Sequence, residues 1–242
     1  AMFHSGRLGK FNGDLAAWDT SRVTTMQSMF KNASSFNQSI GNWNTSLVTN
    51  MRGVFEGATD FNQSIRDWNT SLVTRFDGMF ESASSFNQDI GNWDTSNATH
   101  MNNMFMGASD FDQSLVNWNT SSVNHFHFMF SGASSFNQAI GNWDTSAVLN
   151  SKYMFNGATS FNQDLSDWNA SAVTDMAKMF QNTSALSDAY KGLTHSSFSS
   201  NSNWPYNWSA FVPAPATLTN ANFQTAVNLW CTDKAAAFST YG

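Results

Sequence analysis

The sequence predicts a repeat solenoid of the α/β, leucine-rich-repeat-like type, and three observations support this fold class. Tryptophan recurs every 25 residues along the chain. Phenylalanine recurs with the same spacing at two further positions, which are Phe11 and Phe30 in the first unit. Between the aromatic positions, other residues keep fixed places in each unit. A strict period of this length is typical of a solenoid, in which each unit contacts only its neighbours. The recurring tryptophans are Trp18, Trp43, Trp68, Trp93, Trp118, Trp143 and Trp168.

The positions that repeat most strictly are expected to lie inside the solenoid. They hold Ile or Leu at the place of Ile40, Val at the place of Val48 and Ala at the place of Ala58. By contrast, the place of Thr25 holds residues as different as Arg75 in other units. We expect this variable position to face water.

The spacing within one unit predicts its local structure. Apolar residues over residues 46–58 recur every three or four positions, which predicts a short helix or 3-10 turn with Thr45 or Ser46 as its N-cap. Gly57 suits a left-handed C-terminal cap. Residues 37–43 are expected to be extended and to pair with the next coil as one short parallel strand. Along the stack, we predict structural ladders of the tryptophans and of an asparagine row that includes Asn37, Asn62 and Asn87.

The chain is predicted to have three parts. Residues 1–183 form a solenoid of about seven 25-residue repeats. Residues 184–217 form a C-terminal cap, with an amphipathic helix from about Ser184, followed by a linker rich in proline and aromatic residues that packs back onto the cap. Residues 218–242 form a helix with Thr219 as its N-cap, leading toward a further segment. The opening AMFHSG falls inside the repeated pattern, so we expect it to be an interior position of a longer protein.

Composition excludes several functional classes. The net charge is −6 and Lys and Arg are not clustered, which argues against a nucleic-acid face and a polybasic membrane anchor. No apolar run approaches the ~20 residues of a membrane span. The single cysteine, Cys231, excludes an internal disulfide framework and a cysteine zinc site. His100, His125 and His127 are close in the pattern, but no acidic residue recurs beside them, so we predict no metal site, no cofactor and no enzyme activity.

The repeated unit FNQxIxxW[DN]TSxVTxMxxMFxxA, as in residues 36–58, resembles the BspA-like leucine-rich repeat surface proteins. The resemblance covers about residues 1–180. It implies a repeat scaffold displayed at the cell surface, with adhesion or host contact as its role, and it supplies no catalytic residues. The sequence therefore indicates shape more directly than it indicates a task.

Two kinds of candidate site remain. Ten Asn-x-Ser/Thr sequons occur, mostly as part of the repeat, and Asn97, Asn182 and Asn207 are the best candidates for glycosylation in a eukaryotic secretory setting. Apolar or aromatic residues also occupy places that are polar in other units, and they form either a partner-binding patch or a contact with a neighbouring loop. These residues are Met106, Val116, Phe128 and Tyr153.

The sequence predicts a non-enzymatic structural or adhesive module that is extracellular or on the cell surface. Its expected partners are other proteins, glycans or copies of itself in a filament, with no nucleic acid and no direct membrane span. One alternative is a ligand-binding array for a polysaccharide or ice, made by the hydroxyls of the Asp/Asn-Thr-Ser positions, from Asp19-Thr20-Ser21 onward. Another is an intracellular scaffold or an auxiliary subunit of a large complex.

Overall fold

The computed structural model of this protein describes residues 8–212, 219 and 222–241. It contains 3-10 turns at Leu8–Lys10 and Ser209–Phe211, and the helices α1 (Asp188–Phe198), α2 (Phe223–Thr232) and α3 (Lys234–Tyr241). None of the helices in these residues is long and apolar enough to cross a membrane. The opening AMFHSG, the prolines Pro213 and Pro215 and the final Gly242 lie outside the described residues, so the predictions made on them stay predictions.

The 25-residue units stack on one another in chain order. Single parallel bridges join Thr25 to Asn50, Asn50 to Arg75 and so on, unit by unit, as far as Asp175. Beside each bridge, backbone N–H groups donate to carbonyls of the next coil, as from Met26 to Asn50 at 3.0 Å. Each coil is therefore bound to the next by backbone hydrogen bonds. The assignment to the leucine-rich-repeat-like class stays a prediction, because the units are built from turns and bridges.

The bridges do not lie where the sequence predicts a strand. Residues 37–43 contain no bridge, and the parallel contact lies instead at the position of Thr25, one residue in each unit. This position was expected to face water, but from Asn50 to Asp175 it is half-buried. Each of these residues pairs with the coil that precedes it, which covers one side of the position. Only Thr25, in the first coil, is exposed.

The apolar spacing predicts a short helix or a 3-10 turn in each unit, and the structure has separate turns there and no continuous helix. Met29 donates to Met26 and Ala33 to Phe30, both at 3.0 Å, so the hydrogen bonds close turns of four residues. Two positions in every unit adopt a left-handed backbone, as Ser28 (φ 54°) and Asn32 (φ 61°) do in the first. A left-handed residue interrupts a right-handed helix. Gly57 has the left-handed conformation predicted for it, in a turn and not at a helix end.

The core consists of parallel rows of aromatic rings. Phe36 stacks on Phe61 at 5.9 Å and Phe30 on Phe55 at 5.6 Å, and both rows continue through the seven units. Trp43 and Trp68 are stacked with centroids 6.5 Å apart and planes within 2°. The indole N–H of each buried tryptophan donates to the carbonyl of an Ile or Leu in the preceding coil, as from Trp68 to Ile40 at 3.1 Å. The tryptophans therefore combine ring stacking with a hydrogen bond between coils.

The asparagine row joins the same coils through side-chain oxygens. Asn87 Oδ1 accepts from the backbone N–H of Asp112 at 3.0 Å and from Nε2 of Gln113 at 2.8 Å. Asn37 and Asn62 make the same two contacts with the coils that follow them. In the fifth unit Asp112 takes the place of asparagine, and its Oδ1 accepts in the same way. The position therefore requires an acceptor oxygen and not an amide as such.

The last coil is covered by the C-terminal segment. Phe180 lies against the rings of Trp204, Tyr206 and Trp208, with centroids 5.4–6.2 Å away. The Tyr206 hydroxyl accepts the backbone N–H of Phe180 at 2.8 Å, and Asn201 Nδ2 donates to two carbonyls of the last unit. These contacts close this end of the stack.

The helices of the C-terminal part begin later than the sequence predicts. Helix α1 begins at Asp188 and not near Ser184, because the Ser187 hydroxyl is the cap and accepts the N–H of Tyr190. Helix α2 begins at Phe223 with Asn222 at its N-cap, so Thr219 is not the cap. The single helix predicted over residues 218–242 is divided into α2 and α3 at Asp233, whose backbone is not helical.

We expect substitution of Asn37 to separate the role of the oxygen from that of the amide. Asn37→Ala removes the acceptor for Asn62 and Gln63, and should lower the free energy of unfolding by about 1–3 kcal/mol. Asn37→Asp keeps the acceptor, as Asp112 does naturally, and should cost clearly less because its neighbours in the row are neutral. Urea unfolding followed by circular dichroism measures both changes. Equal losses in the two variants would contradict this account of the row.

Candidate functional site

The candidate site is one lateral face of the stack. In each unit it contains the bridge residue and the residues two, three and six positions further on, which are Thr25, Gln27, Ser28 and Lys31 in the first unit. Side chains at these positions touch across units, as between Lys31 and Glu56 at 2.7 Å. We call this surface the variable face, because its four positions change in size, charge and polarity from unit to unit.

Charge separates the variable face from the rest of the stack. Residues 11–185 contain seven Lys and Arg, of which five lie on this face, and fifteen Asp and Glu, of which four lie there. All other positions of the units together hold two cations and eleven acids. The variable face is therefore the slightly positive side of a strongly acidic stack. Its charged residues are Lys31, Arg52, Arg75, Lys152, Lys178, Glu56, Asp77, Glu81 and Asp175.

In the first half of the face, which is its first three units, the charges pair with one another. Asp77 is buried and accepts from Arg52 Nε at 3.0 Å and from Arg75 Nε at 2.9 Å. Lys31 pairs with Glu56. Burial, assisted by the charge of Glu56, raises the pKa of Glu81 above its usual value. The cations of this half are thus matched by acids at short range.

The second half of the face, which is its last three units, carries an aromatic pair flanked by two lysines. The rings of Phe128 and Tyr153 are 4.8 Å apart and nearly parallel. Lys152 Nζ lies 5.7 Å and Lys178 Nζ 5.4 Å from the centre of the Tyr153 ring. Asp175 is 3.6 Å from Lys152, so one acid faces two cations here. We call Phe128, Tyr153, Lys152 and Lys178 the aromatic–lysine patch.

Three of these residues have an unfavourable backbone. Phe128 (φ 59°), Tyr153 (φ 56°) and Lys178 (φ 56°) occupy the left-handed position that is Gly53 and Gly78 in the second and third units. For a residue with a large side chain, this conformation costs about 1–2 kcal/mol. Strained residues of this kind occur where the surrounding structure imposes them, and they are concentrated at functional sites.

The structure brings three of the four predicted patch residues onto the variable face and leaves the fourth off it. Met106 lies beside Asn103, whose Nδ2 is 3.6 Å from Met106 Sδ, one coil before Phe128. Val116 is exposed at 43%, but it occupies a different position of the unit, where its carbonyl accepts from Asn142. Sequence reasoning missed Lys152 and Lys178, which a comparison of charge position by position would have found.

Three histidines lie on the same face. His100 and His127 are 5.8 Å and 5.7 Å from His125, which lies between them. The Nδ1 atoms of His125 and His127 are buried and have no hydrogen-bond partner among the described residues. Burial is the main cause that lowers the pKa of both His100 and His127. Among the described residues, no three His, Cys, Asp or Glu side chains are placed to hold a metal ion.

The threonine row does not form the exposed hydroxyl array considered from the sequence. Thr45, Thr70 and Thr95 are buried, and their hydroxyls donate to carbonyls of the next coil, as from Thr45 to Asn69 at 2.9 Å. The following serine is accessible, but in Ser96 its hydroxyl donates to the Asp94 carboxylate at 2.6 Å. A buried hydroxyl needs a partner, and here the partner is the neighbouring backbone.

The three candidate glycosylation sites differ in how their sequons are held. Asn97 Nδ2 donates to the Ser71 carbonyl at 2.7 Å. Asn182 and Ser184, the serine that completes its sequon, are both exposed, and the Ser184 hydroxyl donates to the Thr159 carbonyl at 3.3 Å. Asn207 and the serine of its sequon, Ser209, are both exposed and bonded to each other at 2.7 Å. All three asparagines are exposed, and their glycosylation stays a prediction.

A cavity of about 610 Å³ lies at the first coil. It is lined by the indoles of Trp18 and Trp43, by Val23, and by the methionines Met26 and Met29. Trp18 is 38% exposed here, whereas the other six repeat tryptophans are buried. The lining is mostly apolar.

Stacked 25-residue units with one variable side define this molecule as a repeat protein. The family described as "Mycoplasma protein of unknown function, DUF285" matches it over residues 1–116, 88–193 and 110–218. The chain belongs to this family, and the three overlapping matches agree with its repeats. No curated protein matches the chain.

We expect the protein to become less stable as the pH falls from about 7.5 to about 5.5. The pKa values of His100 and His127 are lower in the folded chain than in the unfolded chain. The unfolded chain therefore takes up protons first. The contribution of these two groups to stability is fully present about one pH unit above the unfolded pKa of ~6.5 and is lost as the pH falls toward the folded values. Urea unfolding at several pH values measures this slope.

The control replaces both histidines with asparagine, which occupies the same positions as Asn50 and Asn102 in other units. His100→Asn/His127→Asn should have a flatter pH dependence than the parent protein over this range. An unchanged slope in the double variant would show that these imidazoles are not the source of the effect.

Proposed function

We propose that this chain is a non-enzymatic binding module of the BspA-like type, displayed outside the cell or on its surface. It contacts protein or glycan partners through the variable face. The observation that carries the proposal is the contrast between a fixed interior and a face that changes from unit to unit and retains strained residues such as Phe128 and Tyr153. A stack of this kind allows partner specificity to change without altering its core.

We favour lateral contact with a partner over growth into a filament in which coils of one molecule stack on those of another. Helix α1 and the rings of Trp204, Tyr206 and Trp208 cover the last coil, so another coil is excluded from that end. The variable face has no such cover among the described residues. It offers aromatic rings, amides and paired charges, which suit binding better than bond making.

The proposal is tested with a variant in which three residues in the second half of the face are replaced. Each is replaced by a residue that another unit has at the same position. Phe128→Asn/Tyr153→Gly/Lys178→Ser keeps the backbone position and removes the large side chains. Beads coated with the parent protein should bind cultured cells and matrix proteins or glycans, and the variant should lose most of this binding. Protease accessibility on intact producing cells tests surface display.

Leu47→Ser/Leu72→Ser is the matched control, because it removes two exposed apolar side chains outside the variable face. This control should bind as the parent does. If the parent binds none of these targets, or if the face variant binds as well as the parent does, the proposed function is wrong.

A further inference from the structure

We propose that the aromatic–lysine patch binds a carboxylated polysaccharide. The two lysines would contact carboxylates, and the aromatic pair would contact sugar rings. This inference rests on the proposed binding role of the variable face and names the chemical class of its ligand.

The first support is the distribution of charge. The variable face carries more cations than acids, whereas the other positions of the units are strongly acidic. An anionic ligand is therefore attracted to this face and repelled by the rest of the stack. In the first half the arginines are paired with the buried Asp77. In the patch, two lysines face one acid, Asp175, so this half retains a positive charge for a ligand.

The second support is the position of the rings. Phe128 and Tyr153 are half-buried, and they keep a left-handed backbone that glycine adopts at lower cost in the second and third units. Their backbone N–H groups still bond the next coil, at 2.9 Å to Lys152 and 3.0 Å to Ala177. Gly53 and Gly78 make the same backbone bonds without a side chain. The backbone bonds between coils therefore do not require the rings, which are available for contact at the surface.

The third support is the set of amides around the patch. Asn150 and Asn156 are half-buried, Gln181 is exposed, and Asn156 Nδ2 lies 3.1 Å from Gln181 Oε1. An amide side chain offers donors and an acceptor together, which is what sugar hydroxyl groups require. Aromatic rings, amides and ammonium groups side by side therefore fit a sugar chain with carboxylates better than they fit a simple anion.

Nucleic acid is a poorer fit to this face. Recognition of phosphate backbones uses many uncompensated cations, and three of the five cations here pair with Glu56 or Asp77. An acidic protein segment shares the carboxylate chemistry but does not need the amides around the rings. The test below separates it from a polysaccharide.

The test measures binding of the purified full chain to four soluble polymers by biolayer interferometry. Polygalacturonate is a carboxylated sugar chain, dextran is a neutral one, dextran sulfate carries sulfates, and polyglutamate carries carboxylates without sugars. We expect polygalacturonate to bind most tightly, dextran not to bind, and added salt to weaken the binding. Lys152→Gln/Lys178→Gln should weaken it by about ten-fold, because each exposed ionic contact is worth up to about five-fold.

Two further variants complete the design. Tyr153→Gly removes the central ring and relieves its backbone strain, so it should lose binding while remaining folded by circular dichroism. Arg22→Gln/Arg66→Gln removes the same charge as the lysine variant from positions outside the variable face, and should bind as the parent does.

Each remaining outcome overturns the inference. Equal binding of polyglutamate would identify the ligand as an acidic peptide, and tighter binding of dextran sulfate would identify sulfate as the recognised group. Binding to none of the polymers, or equal binding by the parent and the patch variants, would show that the patch does not bind a carboxylated polysaccharide. The proposed function is judged separately, by the cell and matrix assay, and stands or falls on that result.

Discussion

The hydrogen bonds that leave one coil and enter the next are the interaction on which the rest of this structure depends. In the first unit, the N–H groups of Met26, Ser28, Phe30 and Asn32 all donate to the second coil. A helix would use the same donors within its own turns. Because they are used between coils, a large share of the backbone hydrogen bonds of a unit is made to its neighbours, and much of its stability must come from those neighbours.

A fixed displacement from coil to coil explains why the interior is so strictly repeated. Any side chain inside the stack meets its own equivalent one coil away, so flat rings stack face to face at 5.5–6.1 Å in both phenylalanine rows. Polar groups follow the same rule. The Trp43 indole, the Thr45 hydroxyl and the Asn87 oxygen each find their partner in an adjacent coil. Substitution at such a position disturbs two interfaces at once.

The period and the interior positions could be predicted from the sequence, because stacking against an identical neighbour leaves a direct record in the spacing of Trp and Phe. The local conformation could not. The apolar spacing of Val48, Met51 and Phe55 is the same for a helix and for successive turns that bury one side. The deciding signal was glycine at two positions of the second unit, Gly53 and Gly57, which allows the left-handed backbone that a helix excludes.

The variable face could be predicted only in part. Its aromatic residues differ from the polar residues at the same positions of other units, whereas its charges are seen to share one side only when the fold brings them together. The coil-to-coil hydrogen bonds impose a left-handed backbone at one of its positions whether the residue is Gly78 or Tyr153. A frame that fixes the backbone this firmly can hold a strained residue without changing shape. Side chains on this face can therefore vary while the interior stays constant. The coil-to-coil hydrogen bonds do not explain the large residues of the second half, which need another reason. The proposed contact with a partner would supply that reason, and the positive charge of the same surface favours an anionic partner.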